Sequence, residues 1–290
     1  MLAPASDRPT AGSRCLQGRP ARPGATKDGA EALHETVDPY PTELAHAVDT
    51  LPGRNRQKAP QNRVVIAFLL YDGLTGLDLH GPWEAISVAA RMSGDDVTRH
   101  LVAATRDHVT TDAGMRLQPT ATLADVPAPD VLIVPGTGTP HVPMSDRRIT
   151  DWVRTADRTS TYTVSVCTGA LVLGMAGLLR GRRAATHWAF RDYLRWAGAS
   201  AMEDRWVQDG KLLTSAGISA GIDLALVLVD KLWGRDVVAR TQAVMQYEPQ
   251  PPFDFGSGDK LPPELLHRMQ QGQAHEQQLI RTALTSAHAD

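Results

Sequence analysis

The stretch "TVSVCTGALVLGMAGLL", Thr163 to Leu179, constrains this chain more than any other. It opens in the pattern of a buried strand, with Val164 and Val166 apolar and β-branched. It continues at helical spacing through Ala170, Leu171, Leu173, Gly174 and Leu178. Only Cys167, Thr168 and Gly169 lie between the two patterns. The neighbouring segments supply more strands and more helices in alternation. "RVVIAFLLY" and "DVLIVPG" are unbroken apolar runs, as expected of strands covered on both faces. "VTRHLVAAT" reads as a further strand, "RRAATHW" as a short strand ending near His187, and "RWVQDGKLLTSAG" as a hairpin turning at Asp209 and Gly210. "DLHGPWEAISVAARM" reads as a helix with Pro82 in its first turn and Gly81 or Asp78 before it. "DRRITDWVRTAD", "GISAGIDLALVLVDKLWG" and "RDVVARTQAVMQY" read as three more. Strands alternating with helices predict an α/β fold: a mostly parallel central sheet with helices on both faces.

Three regions differ in texture. Residues 1–62 are rich in Pro, Ala, Thr, Gly and Arg without apolar periodicity, which predicts a disordered extension, of which residues 1 to about 58 are expected to be removable without loss of fold. Residues 63–260 carry the alternating pattern. Residues 261–290 predict a helical tail whose buried side comprises Leu265, Leu266, Met269, Leu279, Ile280 and Leu284. The 30 Lys and Arg against 32 Asp and Glu give no overall field for nucleic acid or an anionic membrane. No apolar run approaches the ~20 residues of a membrane helix. Two cysteines, Cys15 and Cys167, make no disulfide framework, and no apolar segment follows Met1 in the manner of a secretory signal, so a cytoplasmic location is expected. The histidines lack paired metal spacing, the first strand lacks a dinucleotide G-x-G-x-x-G, and the six tryptophans are scattered through different elements. Neither a metal nor an organic cofactor is expected.

Ligands of open α/β sheets bind beyond the carboxyl ends of the strands. Cys167 falls there, in the geometry of a nucleophile elbow. The helix start beyond it would favour a thiolate, so a lowered Cys167 pKa and selective alkylation near neutral pH are expected. The bland alternative is packing, because free cysteine is among the most buried residue types. Asp78, just past the first strand, is a candidate proton relay, or else a helix cap. His187, near the end of another strand, could orient or deprotonate the thiol, or be structural. The N–H groups of Gly136 and Thr137 could form the second side of an oxyanion hole.

Together, "YDGLTGLDLHGPWEAIS", "VSVCTGALVLGMAGLLRGRRAATHW" and "RWVQDGKLLTSAGISAGIDLALVLV" resemble the DJ-1/PfpI superfamily, which has the flavodoxin-like fold of class I glutamine amidotransferases. Two branches share these motifs: isonitrile hydratases, and the ligand-sensing domains of AraC-type regulators. "QYEPQPPFDFGSG" resembles the end of the hydratase branch, and about 30 residues after Lys260 are too few for the regulators' DNA-binding domain, so the hydratase branch is expected. The resemblance implies Cys167 as nucleophile, Asp78 as essential acid, Thr168 as the threonine after the cysteine and His187 as the histidine on the following strand. It implies Gly136, Thr137 and Thr168 as substrate-positioning residues, although Thr137 stands where many members have a second glycine. The implied reaction is cysteine-dependent hydration of an isonitrile to an N-substituted formamide, with a small molecule as the partner. Glyoxalase, deglycase or amidase chemistry and a non-catalytic sensor are the alternatives. The resemblance also implies a homodimer, with Trp152 or the last helix as exposed apolar contacts.

Overall fold

The apolar runs set the sheet. Strand β1 (Arg63–Leu69) buries Ile66, Ala67, Phe68 and Leu69 completely, and β6 (Val131–Val134) is buried along its whole length. The computed structural model describes residues 63–286, so the expectations for residues 1–62 and for Cys15 lie outside the described residues. Between β1 and β6 come α1 (Gly76–Ser93), β2 (Asp96–Ala103), β3 (Val109–Thr110), β4 (Arg116–Leu117) and β5 (Ala121–Thr122). After β6 follow α2 (His141–Ser145), α3 (Arg147–Thr159), β7 (Tyr162–Ser165), α4 (Gly169–Met175), β8 (Arg183–Ala184), a 3-10 turn at Trp188–Phe190, α5 (Tyr193–Trp196) and β9 (Ser200–Ala201). The chain continues through β10 (Trp206–Asp209), β11 (Leu212–Ser215), α6 (Ala220–Trp233), α7 (Arg235–Met245), a 3-10 turn at Gly258–Lys260 and α8 (Pro263–Ser286).

The main sheet has seven strands in the order β10-β11-β7-β6-β1-β2-β5. Every pairing in it is parallel except the β10–β11 hairpin, so the chain has the expected mostly parallel α/β architecture. In that hairpin Asp209 faces Leu212 across a two-residue loop, Gly210 and Lys211. Gly210 takes φ +62 at the first loop position, which matches the twist of a two-residue hairpin and favours glycine. Helices α1, α6 and α7 pack together on one face, and α2, α3, α4, α5 and α8 form the layer on the other. Small residues make the first layer tight: a Cβ on Gly81 would meet Ile222 at 2.9 Å, and one on Gly221 would meet Val166 at 2.9 Å.

Four expectations change. Pro82 is not in the first turn of its helix, because α1 already begins at Gly76. Its missing N–H leaves the carbonyl of Asp78, four residues back, without the usual helical donor. His187 is not at a strand end, since β8 stops at Ala184 and His187 instead caps the 3-10 turn. Trp152 is no surface contact: it is buried and its indole N–H donates to the Val126 carbonyl at 3.0 Å. Of the expected buried face of α8, only Ile280 and Leu284 are fully buried, while Leu265 and Met269 are each 39% exposed. Ile280 and Leu284 belong to the same hydrophobic core as the sheet, so this helix is a docked part of the domain. Glu276 fastens it further by accepting the backbone N–H of His141 at 3.1 Å and pairing with His141 Nδ1 at 2.6 Å. Ile280→Ala is therefore expected to cost about 2–4 kcal/mol through transfer and cavity terms. Leu265→Ala is expected to stay within about 0.5 kcal/mol. Urea unfolding of the two variants checks this, and a similar cost at both positions would contradict the observed docking.

Candidate active site

Cys167 sits two residues beyond β7 and two before α4, with φ +58. A non-glycine residue in this left-handed region is strained, and it persists only when its surroundings hold it. Here the Cys167 N–H donates to the Ala216 carbonyl at 3.2 Å, and the Thr186 hydroxyl donates to the Cys167 carbonyl at 2.8 Å. Gly169 completes the turn by close approach: a Cβ there would fall 2.2 Å from the Val134 carbonyl oxygen. The strand-to-helix transition is thus the elbow expected from the sequence, and it turns the cysteine side chain up at the carboxyl end of the sheet.

Asp78 lies opposite, in the first turn of α1, and is completely buried. Its Oδ2 accepts the Gly136 N–H at 3.0 Å, whereas Oδ1 has no hydrogen-bond partner among the described residues. A buried carboxylate short of donors resists ionisation, and Asp78 is accordingly pushed up to about 7 by burial, against the lowering effect of the Gly136 N–H and the Cys167 thiol. The thiol interacts directly with this carboxyl group and is itself pushed well up, first by burial and then by the Asp78 charge. The N–H groups of Thr168 and Ile218 point to the sulfur and act in the other direction. Burial and the neighbouring carboxylate outweigh them, so the resting cysteine is a thiol. This reverses the expectation of a lowered pKa. The two groups form one coupled site that holds its protons together.

The other expected residues take different parts. Gly136 and Thr137 do not present free N–H groups to a substrate. The Gly136 N–H is engaged by Asp78, and the Thr137 N–H donates to Thr168 Oγ1 at 2.8 Å. The Thr168 hydroxyl in turn donates to the Thr137 carbonyl at 2.7 Å. The loop after β6 and the elbow are therefore latched to each other through Thr168. Gly136 is irreplaceable in this packing, since a Cβ would lie 2.6 Å from the Thr168 nitrogen and 2.8 Å from Asp78 Oδ2. His187 stands against Gly217, where a Cβ would come within 2.2 Å of the imidazole Cδ2. Burial holds its pKa below the ordinary value, and Nδ1 accepts the Ala189 N–H at 3.2 Å. The neutral ring then carries its proton on Nε2 and can donate there, but it has no free lone pair with which to deprotonate the thiol.

Reading the sequence missed Ala216, Thr186 and Ile218, which hold or face the cysteine through backbone and hydroxyl groups. Backbone donors and acceptors carry no side-chain signal, and only the proximity of "AATHW" and "TSAGIS" to strand ends pointed toward them. Among the described residues no group of three or more His, Cys, Asp and Glu side chains could hold a metal ion, and no helix is long and apolar enough to cross a membrane.

The arrangement pairs a buried thiol with a buried carboxyl group that has one oxygen without a hydrogen-bond partner among the described residues. Comparison with known proteins finds chains of similar sequence and fold. The model of the DJ-1/PfpI family matches residues 64–231. An isonitrile hydratase of Pseudomonas putida is 42% identical over 224 residues, spanning 77% of this chain and 96% of the relative. The HTH-type transcriptional regulator CdhR of Pseudomonas aeruginosa is 31% identical over 169 residues, spanning 58% of this chain and 50% of the regulator. Among solved structures, a THiJ/PfpI family protein from Pseudomonas syringae aligns with TM-score 0.74 and 32% identity, over 81% of this chain and 96% of that one.

Proposed function

The chain belongs to the DJ-1/PfpI family, and from that premise we propose that it hydrates an isonitrile to an N-substituted formamide. The observation that carries this reading is the buried Asp78–Cys167 pair, in which one carboxyl oxygen is unpartnered beside a thiol. The 42% identity to the Pseudomonas putida isonitrile hydratase, over nearly all of that enzyme, supports the choice of substrate class.

Hydration of R–N≡C needs a nucleophile at the terminal carbon and one proton delivered to the same carbon. Ionised Asp78 takes the thiol proton as sulfur attacks, and passes it to that carbon, giving the thioimidate R–N=CH–S–Cys167. Water adds to this C=N bond; its proton goes by way of Asp78 to nitrogen. The resulting R–NH–CH(OH)–S–Cys167 collapses as the C–S bond breaks, the hydroxyl proton returns through Asp78 to sulfur, and the formamide R–NH–CHO leaves. One water is consumed and no oxidant or reductant is required. A group with a pKa near 7 suits both proton transfers, because it gives and accepts with little cost at neutral pH. The Thr168 and Ile218 N–H groups stabilise negative charge as it grows on sulfur.

The test incubates the purified chain with a panel of alkyl and aryl isonitriles in H₂¹⁸O, and separately with methylglyoxal. Formamide carrying ¹⁸O supports the proposal. Lactate from methylglyoxal without formamide would replace it with glyoxalase chemistry, and neither product would favour a binding role like that of the regulators.

A further inference from the structure

Tyr71 lies just beyond β1 and is buried. Its hydroxyl donates to the Pro135 carbonyl at 2.6 Å. The N–H on the other side of that same peptide group belongs to Gly136 and donates to Asp78 Oδ2 at 3.0 Å. Tyr71, the Pro135–Gly136 peptide and Asp78 thus form a hydrogen-bonded chain that runs through a single amide plane. We propose that Tyr71 is a positioning residue for the Asp78–Cys167 pair, acting through the Pro135–Gly136 peptide to fix and strengthen the one hydrogen bond that Asp78 receives from the backbone.

Two physical effects point the same way. A hydroxyl bonded to an amide oxygen polarises the amide, which makes its N–H a stronger donor. It also pins the rotation of the peptide plane, which otherwise rests on its neighbours alone. The plane needs pinning, because the next residue, Thr137, is fastened to Thr168 and any tilt would pull the acid and the elbow apart. Tyr71 is a dependable donor: burial, followed by the charges of Asp78, Cys167 and Asp112, raises its own pKa well above the ordinary value, so the phenol keeps its proton through the working range. The phenol also borders a cavity of about 300 Å³, lined on its polar side by Asp72, Asp107, His108, Asp146 and Arg148. The groups that face Asp78 itself are Cys167, the Gly136 N–H and, at longer range, Asp112. None of these five residues hydrogen-bonds to the Pro135–Gly136 peptide, so among the described residues the Tyr71 phenol is the side-chain donor to the oxygen of this amide, opposite the Asp78 carboxyl on its N–H.

The sign follows directly. A stronger N–H donor favours the ionised carboxylate, so Tyr71 holds Asp78 lower than burial alone would place it. Tyr71→Phe should raise the pH at which Asp78 ionises by about half a unit. The readout is the rate of Cys167 alkylation by iodoacetamide against pH, followed by peptide mass spectrometry, because Asp78 is the base beside that thiol. It does not require isonitrile turnover. The proposal rests on the site described above but not on the substrate, so absence of formamide production would leave it intact. Site-specific replacement of Tyr71 by 3-fluorotyrosine keeps the hydroxyl, makes it a stronger donor and should move the midpoint the opposite way. Opposite shifts of the two variants at unchanged thermal midpoint support the proposal. An unmoved midpoint in Tyr71→Phe overturns it, and if that variant does not fold, an unmoved midpoint in the fluorotyrosine protein overturns it.

Discussion

Asp78→Asn is expected to lose activity and gain stability, both by large factors. The loss follows from the proton route: an amide cannot take the thiol proton, and removal of a positioned acid–base group costs roughly 10²–10⁴-fold. The gain follows from burial. Asp78 is completely enclosed, and its Oδ1 lacks a donor, so its charged form is poorly solvated in the folded protein. Its value rises from 3.8 when unfolded to about 7 when folded. Below pH 3.8 the carboxyl is protonated in both states and its ionisation costs nothing. Between 3.8 and 7 the folded state holds a proton that the unfolded state has lost, so stability falls as pH rises, and the loss is complete above 7. A difference of about three units corresponds to roughly 4 kcal/mol at most, because each unit is worth about 1.4 kcal/mol. Asparagine keeps an oxygen for the Gly136 N–H and never ionises. The variant should therefore exceed the parent by about 2–3 kcal/mol at pH 8, and approach it toward pH 4. Urea unfolding at both pH values decides the matter: a variant less stable than the parent at pH 8 would show that the Asp78 charge is well solvated.

The Asp78–Cys167 site was only partly legible in the sequence. The position of Asp78 beyond the first strand and of Cys167 at the strand-to-helix switch could be read, because hydrophobic periodicity locates strand ends and ligands gather there. The mostly parallel sheet and the elbow followed from the same patterns, whereas the order of the seven strands rests on pairings between segments far apart in the chain. What could not be read was the balance of forces on the pair. Whether the N–H groups at the elbow or burial prevails depends on how closely Gly136, Gly169 and Gly217 let other segments approach, and those contacts join residues far apart in the chain. Gly136 and Thr137 illustrate the limit. Their location was right, yet their N–H groups serve Asp78 and Thr168, because the nearest acceptor in three dimensions lay outside their own motif. The helix α8 shows a related limit: its period gave a continuous apolar face, but only its second half meets the layer formed by α2, α4 and α5.

Cys167→Ser should fold normally and lose roughly 10⁴-fold or more in turnover, the scale seen when a sole nucleophile is removed. Folding should survive because serine is smaller and accepts the same φ of +58 through the same partners, Ala216 and Thr186. Turnover should not, because a serine hydroxyl in the same buried place is a much weaker acid than the thiol and a poorer nucleophile, and Asp78, with a value of about 7, is correspondingly the poorer base for it. The same reasoning predicts an unusual alkylation profile for the parent. With its thiol pushed up, Cys167 should react more slowly than a free peptide thiol in alkaline solution. Its rate should nevertheless rise in a first step near pH 7, where Asp78 ionises and becomes able to draw the proton from sulfur. That step belongs to the pair, not to either group. In Asp78→Asn it should vanish, leaving only the high-pH rise of the thiol. A second variant checks the sign. The thiol lowers the Asp78 value by hydrogen bonding to its charged form, so Cys167→Ala should move the carboxyl titration upward from about 7, as followed by ¹³C NMR of the labelled side chain. A first alkylation step that persists in Asp78→Asn, or a carboxyl titration that falls in Cys167→Ala, would mean that the two groups titrate independently and that the acid does not serve the cysteine.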